Sequence, residues 1–182
     1  MGKIVITENV SLDGLADGRR LFDWIGQVKG EAAQFLLDEA RGSEALLLGR
    51  LSYEFFAARW PSRGGEYADR LNSMPKYVVS STLSEPDWNN STVLTGDVVE
   101  EVTKLKEQLA GEIIVPASYQ LGRTLLEHDL VDELRLVVFP VVLGAGERMF
   151  SGVSERRPLR LVRTQTIGDG LVFLTYERAR NE

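Results

Sequence analysis

The regular alternation of short apolar runs with segments of helical spacing is the feature that most constrains the fold of this sequence. Runs typical of strands stand at residues 4–6, 45–48, 77–79, 93–94, 113–115 and 134–142. Helical spacing predicts helices at residues 30–41, 51–60, 65–73, 98–109 and 118–128. Strands that alternate with helices pair in parallel, so the pattern favours an α/β fold with a mixed, mostly parallel central sheet.

The end of the chain departs from this alternation. Residues 158–167 and 171–178 read as two long strands that are joined through Gly168-Asp169-Gly170. A short glycine-rich connection of this kind is a strong hairpin signal. We therefore expect a C-terminal antiparallel hairpin at one edge of the sheet.

Three local details of the helices follow from spacing and capping rules. In the 30–41 segment, Ala33, Leu36, Leu37 and Ala40 fall on one side. Pro61 is expected to close the 51–60 helix. The N-cap candidates of the last two helices are Asp97 and Ser118.

Length, charge and residue usage exclude several classes of function. A chain of 182 residues fits one domain spanning residues 1–182. With no cysteine and one histidine, it has no disulfide framework, no thiolate metal site and no His–His metal pair. A net charge of −6 without a basic block disfavours nucleic acids and anionic membranes as partners. The longest apolar stretch is far too short to span a bilayer, and the N-terminus reaches Glu8 too soon for a signal peptide, so we expect a cytoplasmic protein.

In a parallel sheet, ligands bind at the carboxyl ends of the strands near helix N-termini, which directs attention to four turns. The turn at Gly49, Arg50 and Ser52 offers the groups that bind a phosphate, namely free backbone N–H groups, a cation and a hydroxyl. The same residues also fit an ordinary glycine turn with a solvated arginine. The other three turns admit the same two interpretations, ligand contact or ordinary turn and cap chemistry. They are residues 80–82, 116–118 and 144–146.

Side chains elsewhere could serve a flat-ring substrate. Asp13 follows the first strand and could bond an amino-heterocycle, or it could simply form an Asp–Gly turn. Glu31 and Phe35 share a helix face and could hold and protonate a ring, or be a helix-start acid and a core aromatic. Trp60 could wall a ring pocket or end a helix in the core. A hydrolase using Ser118 and His128 is disfavoured, because ten helical residues separate them by about 15 Å.

Five motifs stand in a fixed order along the chain: SLDG (11–14), LLLGRLSYE (46–54), PKYVVS (75–80), LLEHDLVDEL (125–134) and PVVLGAG (140–146). Taken in this order, they resemble the RibD C-terminal domain family of the dihydrofolate reductase superfamily. The resemblance covers residues 3–177, nearly the whole chain, and rests on the order of the motifs rather than on any one of them.

The resemblance implies a dihydrofolate-reductase-like fold, NADPH as hydride donor (with NADH as an alternative), and a homodimer. It places Asp13 on the substrate side. The side-chain chemistry described above adds Phe35 and Trp60 as candidate ring contacts and Glu31 as the candidate acid. It implies cofactor contacts at Gly49, Arg50, Ser52, Ser80, Ser81, Thr82, Ala117, Ser118, Tyr119, Gln120, Leu121, Gly144 and Gly146.

The sequence departs from the family pattern at two of these positions. Ala117 stands where glycine is usual, and its methyl group would limit close approach to a pyrophosphate. Ser81 stands where many relatives carry a basic residue that would pair with a 2′-phosphate. This leaves Arg50 as the main cation and leaves the choice between NADPH and NADH open.

The sequence thus predicts an NAD(P)H-dependent reductase of a small nitrogen heterocycle, pyrimidine- or pterin-like and open to a ribosyl substituent. By resemblance, the nearest known activity is reduction of 5-amino-6-(5-phosphoribosylamino)uracil in riboflavin biosynthesis. The alternative is a nucleotide-binding module without turnover, which the departures at Ala117 and Ser81 favour.

Overall fold

One mixed sheet of eight strands organises the computed structural model, which describes residues 1–16, 20–21, 30–168 and 170–179. The strands are β1 (Lys3–Ser11), β2 (Ser43–Gly49), β3 (Lys76–Val79), β4 (Ser91–Leu94), β5 (Glu112–Pro116), β6 (Glu133–Phe139), β7 (Leu159–Ile167) and β8 (Leu171–Arg178). The helices with described bounds are α1 (Glu31–Gly42), α2 (Arg50–Ala57), α3 (Glu66–Ser73), α4 (Val98–Gln108) and α5 (Tyr119–Glu127).

The strand order is β4-β3-β2-β5-β1-β6-β8-β7. The first six strands in this order run parallel, whereas β8 is antiparallel to both β6 and β7. The predicted fold class, including the C-terminal antiparallel hairpin, is therefore confirmed. The middle of that hairpin's turn, Asp169, lies outside the described residues.

Apolar side chains pack on both faces of the sheet, as expected for parallel strands that are covered by helices on each side. On one face, Val102 and Leu105 of α4 and Leu121 and Leu125 of α5 pack against β1, β2 and β5. On the other face, the helices α1 to α3 cover the sheet through two clusters. Their buried members on these helices are Ala32 of α1, Tyr53 of α2 and Leu71 of α3.

The register of β1 creates an important junction. Thr7 is the last β1 residue paired with β5, opposite Pro116, while β1 continues along β6 to the pair Ser11 and Phe139. Since β5 leaves the sheet at Pro116 to enter α5, the next β1 residue, Glu8, lies beside that bend.

Two element ends differ from the sequence prediction. The α2 helix ends at Ala57 rather than residue 60, because the N–H of Arg59 bonds the carbonyl of Phe56 and the chain tightens into a turn. The β6 strand ends at Phe139 rather than residue 142, because Pro140 has no N–H to donate to the ladder. Trp60 is therefore positioned by a turn, with its carbonyl accepting a bond from Asn72 of α3.

Residue-level expectations for the helices had mixed outcomes. Ala33 is exposed, so its predicted place on the inward face of α1 was wrong, and Ala32 is buried instead. Asp97 is confirmed as the N-cap of α4, since its carboxylate accepts bonds from the N–H groups of Val99 and Glu100. Ser118 occupies the N-cap position of α5 but makes no side-chain cap bond, because its hydroxyl is used elsewhere.

No helix in the described part of the chain is both long and apolar enough to cross a membrane.

Candidate active site

Two strand-to-helix turns lie side by side at the carboxyl edge of the sheet. The β2–α2 turn and the β5–α5 turn are neighbours because β2 pairs with β5. Ser118 links them: its hydroxyl accepts a bond from the N–H of Gly49 (3.1 Å) and donates to the carbonyl of Pro116 (3.0 Å). Ser52 adds a second link by donating to the carbonyl of Ala117 (2.7 Å). Two helix N-termini, each with unpaired N–H groups, are thereby held together.

A groove of about 680 Å³ opens beside these two turns. This volume lies within the usual range of small-molecule sites. Eleven of the residues predicted to contact a cofactor line this groove. They are Gly49, Arg50, Ser52, Ser80, Ser81, Thr82, Ala117, Ser118, Tyr119, Gln120 and Leu121.

The polar groups of the groove differ in how far they are engaged. Arg50 is half-exposed and pairs with Glu54 one turn along α2 (3.0 Å), a contact that solvent weakens. The hydroxyl of Ser80 is buried and accepts bonds from the N–H groups of Thr82 and Leu83, which closes the turn after β3. Ser81 is exposed at the tip of that turn. The groove thus combines the long cationic side chain of Arg50 with hydroxyl groups and helix N-termini, and these groups suit phosphates and a ribose.

The backbone of Ala117 is strained. Its φ of 51° lies in the left-handed region, which costs an alanine roughly 1–2 kcal/mol relative to glycine. The bend that Ala117 makes is what turns β5 into α5 and presents the start of that helix to the groove. The structure therefore explains physically why a glycine would suit this position.

Asp13 lies in a separate cluster with the loop of Gly144 and Gly146, which were expected to contact the cofactor. Its carboxylate accepts bonds from the N–H groups of Leu143 (3.1 Å) and Gly144 (2.8 Å) and from the hydroxyl of Ser11 (2.7 Å). These donors, the hydroxyl first, hold the pKa of Asp13 well below its usual range. Gly144 and Gly146 do not line the groove in the described structure. Both oxygens of Asp13 are used to hold this loop.

A small apolar cavity lies next to the groove, on the face covered by α1, α2 and α3. Its volume is about 150 Å³, and an apolar cavity of about this size can hold one six-membered ring. Aromatic side chains dominate its walls: Phe55, Phe56, Trp60, Tyr67 and Trp88. Ala117 and Tyr119 line both the cavity and the groove, so the two spaces meet at the β5–α5 bend.

Among the predicted ring contacts, the structure brings Trp60 to the cavity and leaves two others elsewhere. The indole N–H of Trp60 is buried with no hydrogen-bond partner among the described residues. Phe35 packs edge-on against Phe173 with ring centroids 4.5 Å apart, in the cluster under β6 and β8. Glu31 is exposed and accepts a long bond from the N–H of Gly168 (3.4 Å).

Two cavity acids escaped the sequence analysis. Glu39 of α1 has a side chain only 18% exposed and pairs with Arg135 of β6 (3.1 Å). Burial raises the pKa of Glu39, and the nearby guanidinium opposes this rise. Burial, with a smaller contribution from Glu39, also raises the pKa of Tyr67 to about 12.

The second acid is Glu8, which is 5% exposed. Burial raises its pKa well above its ordinary value, opposed by bonds that its carboxyl accepts from the N–H groups of Ala117 and Ser118. The signal in the sequence was a single acid within an otherwise buried strand, which local pattern alone does not distinguish from a surface position.

Comparison with known proteins connects this geometry to one family. The sequence profile of the RibD C-terminal domain matches residues 2–173. Protein YyaP of Bacillus subtilis (strain 168) is 30% identical over 186 residues, an alignment that covers 96% of this chain and 94% of that protein.

Solved structures of other proteins share the fold, including the following two. A diaminohydroxyphosphoribosylaminopyrimidine deaminase/5-amino-6-(5-phosphoribosylamino)uracil reductase of Thermotoga maritima superposes with a TM-score of 0.68 at 15% identity, covering 98% of this chain and 57% of the longer one. Dihydrofolate reductase of Enterococcus faecalis, solved with NADP(H) and RAB-propyl, gives a TM-score of 0.63 at 12% identity, covering 98% and 97% of the two chains. The expected dihydrofolate-reductase-like fold is confirmed.

Proposed function

Because the chain belongs to the RibD C-terminal domain family, we propose that it is an NADPH-dependent oxidoreductase that reduces a small, flat nitrogen heterocycle. One observation carries the proposal: a groove built on two helix N-termini meets an aromatic-walled cavity at Ala117 and Tyr119. A dinucleotide and a ring substrate that react with each other need adjoining spaces of these two kinds.

The residues present fit the cofactor. The N–H groups at the starts of α2 and α5 and the guanidinium of Arg50 would hold its phosphates, with the hydroxyls of residues 80–82 near the adenosine ribose. When bound, NADPH supplies the hydride. The chain itself would bind and orient the cofactor, and the hydroxyls of Ser118 and Ser52 hold the starts of α2 and α5 side by side. NADH is a second donor that this groove would accept, since Ser81 offers no cation for a 2′-phosphate.

The cavity would take the heterocycle, pyrimidine- or pterin-like. Aromatic walls favour a flat ring, the buried indole N–H of Trp60 has no acceptor among the described residues, and Glu39 supplies a carboxyl group with a raised pKa. The name of the Thermotoga maritima relative contains a uracil reductase activity, which supports a ring of this class. Asp13 would act on the substrate side by holding the loop at Leu143 and Gly144 in place. Glu31 as the acid remains a prediction that its exposed position does not favour.

We also propose that the chain acts as a homodimer. Among the described strands, β7 stands at the edge of the sheet and pairs only with β8, and its apolar side chains Leu159, Leu161 and Val162 are 38–47% exposed. An exposed strand edge with apolar side chains is a ready template for pairing with a second chain.

The proposal is tested by titrating the protein with NADPH and NADH in a calorimeter, and then following NADPH absorbance over a panel of pyrimidines, pterins and their ribosides. We expect NADPH to bind and at least one heterocycle to be reduced. Binding without turnover across the panel would favour the nucleotide-binding module instead. Failure of both nucleotides to bind would overturn the proposed function.

A further inference from the structure

Glu8 is a buried acid at the junction on which the proposed cofactor groove depends. It follows Thr7, the last β1 residue paired with β5, and lines the same cavity as Ala117, where β5 bends away from the sheet. Its carboxyl accepts bonds from the N–H groups of Ala117 and Ser118, two consecutive donors immediately before α5. Consecutive N–H groups of this kind form a concavity that attracts negative charge.

The residues that Glu8 contacts are also walls of the groove. Ala117 and Ser118 line it, and Ser118 joins the start of α2 to the same bend through the N–H of Gly49. A charge on Glu8 would therefore lie directly behind the α5 N-terminus that we expect to receive phosphate groups. The positive end of a helix carries only about half an elementary charge, so one full negative charge there would more than cancel it.

A neutral carboxylic acid avoids this conflict. Its carbonyl oxygen can still accept the two N–H bonds, so the bend is held, while the attraction of the helix start for anions is preserved. The buried surroundings of Glu8 favour this neutral form, since desolvation penalises the charged one.

We propose that Glu8 is a positioning residue of the dinucleotide groove and that its neutral carboxylic acid supports the Ala117–Ser118 bend. Where Glu8 is ionised in the unliganded protein, it takes up a proton when a dinucleotide binds. The inference rests on the proposed function, because it requires the groove to bind a phosphate-bearing nucleotide. The affinity for the dinucleotide should therefore fall as the pH rises through the range in which Glu8 loses its proton.

The other charged groups near this junction differ from Glu8 in position or solvation. On the cavity side, Glu39 of α1 is paired with Arg135 of β6, and the phenol of Tyr67 on α3 has its pKa raised to about 12. On the groove side, Arg50 of α2 is half-exposed, and the half-exposed Glu147 pairs with Arg123 of α5 (3.0 Å).

The test is calorimetric binding of NADH and NADPH between pH 5.5 and pH 9 to the wild-type protein and to Glu8→Gln, in pairs of buffers with different ionisation enthalpies. NADH is included because it lacks the 2′-phosphate, which itself titrates near pH 6. For the wild type we expect the Kd to rise with pH, approaching tenfold per unit above the pKa of Glu8, together with proton uptake. Glu8→Gln keeps a carbonyl acceptor without the charge, so we expect its Kd to be equal or lower at high pH and free of this slope.

Glu147→Gln is the matched control, since it removes the same charge from the rim of the same groove. It should retain the pH slope of the wild type. Infrared difference spectra of the unliganded wild type against Glu8→Gln provide a readout that needs no ligand, because a protonated carboxyl has its own carbonyl band.

Three outcomes would overturn the inference, and they are distinguishable. If the nucleotides bind with the same pH slope and proton uptake in the wild type and in Glu8→Gln, Glu8 has no such role although the proposed function stands. If neither nucleotide binds the wild type at any pH, the proposed function and the coupling fail together. Should Glu8→Gln fold poorly, the absence of proton uptake by the wild type alone would overturn the coupling.

Discussion

At the scale of single residues, Arg50 is the cation of the groove. Among the described residues that line it, no other is a lysine or arginine. A charge-assisted contact to phosphate is worth roughly 1.5–3 kcal/mol, so we expect Arg50→Ala to raise the Kd for NADPH tenfold or more. Isothermal titration calorimetry measures this directly. Arg41→Ala is the control, because Arg41 is an exposed arginine with its own ion pairs to Asp38 and Glu66 outside the groove. An unchanged Kd for NADPH in Arg50→Ala would show that Arg50 does not bind the phosphates.

The strain at Ala117 leads to a second prediction. Glycine adopts a φ of 51° without the cost that alanine incurs, but it also adds entropy to the unfolded chain. We expect Ala117→Gly to raise the free energy of unfolding by about 0.5–1 kcal/mol and to tighten NADPH binding by removing a methyl group from the groove wall.

Urea denaturation and calorimetry check the two effects. Ala110→Gly is a matched control, since Ala110 is an exposed loop residue that is not among those with a positive φ. The free energy of unfolding should fall in Ala110→Gly, whereas it should rise in Ala117→Gly. A loss of stability in Ala117→Gly equal to that in Ala110→Gly would show that the strain at position 117 is not relieved.

The residues that sequence analysis missed share a physical cause. The turn at Gly49 and Arg50 could be found because its chemistry is local. Glu8 and Glu39 could not, because what distinguishes them is burial and contacts with residues 96 to more than 100 positions away. A polar residue of this kind can be identified as a site candidate only when the fold shows that its side chain is buried.

At the scale of elements, Lys76 ties three pieces of chain together. This lysine at the start of β3 is fully buried, and its ammonium donates to the carbonyls of Asn72, Met74 and Asn89. Two of these carbonyls belong to the end of α3, where helix carbonyls lack partners. The ring of Trp88 lies 4.3 Å from the ammonium. Lys76 thus joins the end of α3 to the loop before β4.

Burial of Lys76 gives the stability of the protein a specific pH dependence. Burial lowers its pKa to about 8, below the ordinary value of 10.5, so the folded state holds fewer protons than the unfolded state between these values. The free energy of unfolding should therefore rise with pH from about 8 to about 10.5, by at most about 1.4 kcal/mol per unit from this group.

The measurement is chemical denaturation of the wild type and Lys76→Met across this range. The slope attributable to Lys76 should disappear in Lys76→Met. Lys104→Met, which alters an exposed lysine on α4, should keep it. Parallel curves for the wild type and Lys76→Met would show that Lys76 stays equally protonated in both states.

Elements were predictable to the extent that their causes are local. The continuous apolar run of β2 and the Asp97 cap are confirmed, since each depends on neighbours in sequence. The hydroxyl of Ser118 was assigned to helix capping but bonds Gly49, 69 residues away, which no local rule reveals. The position of Trp60, in the turn after α2, likewise depends on Asn72, a partner on another helix.

At the scale of the whole molecule, the sheet has two unlike edges. One edge is β4, a strand of four residues, and short edge strands resist pairing. The other is β7, a strand of nine residues whose outer positions are mostly exposed. An irregularity in its pairing with β8 between Leu161 and Arg163 accompanies the exposure of both Leu161 and Val162. Of the two edges, β7 is the one suited to a partner.

This asymmetry gives the last prediction, which concerns the oligomeric state. We expect sedimentation velocity to show a dimer at micromolar concentration, formed through the β7 edge, because pairing two such edges satisfies backbone groups and buries apolar side chains. A lysine in place of Leu161 would put a charge twice into a two-fold interface and should yield monomers. Val142→Lys changes an apolar side chain that is 69% exposed in the loop after β6 rather than on the β7 strand, so it should leave the dimer intact. A wild-type protein that remains monomeric at all concentrations would overturn the proposed homodimer, and dissociation by Val142→Lys but not by Leu161→Lys would move the interface to the loop that follows β6.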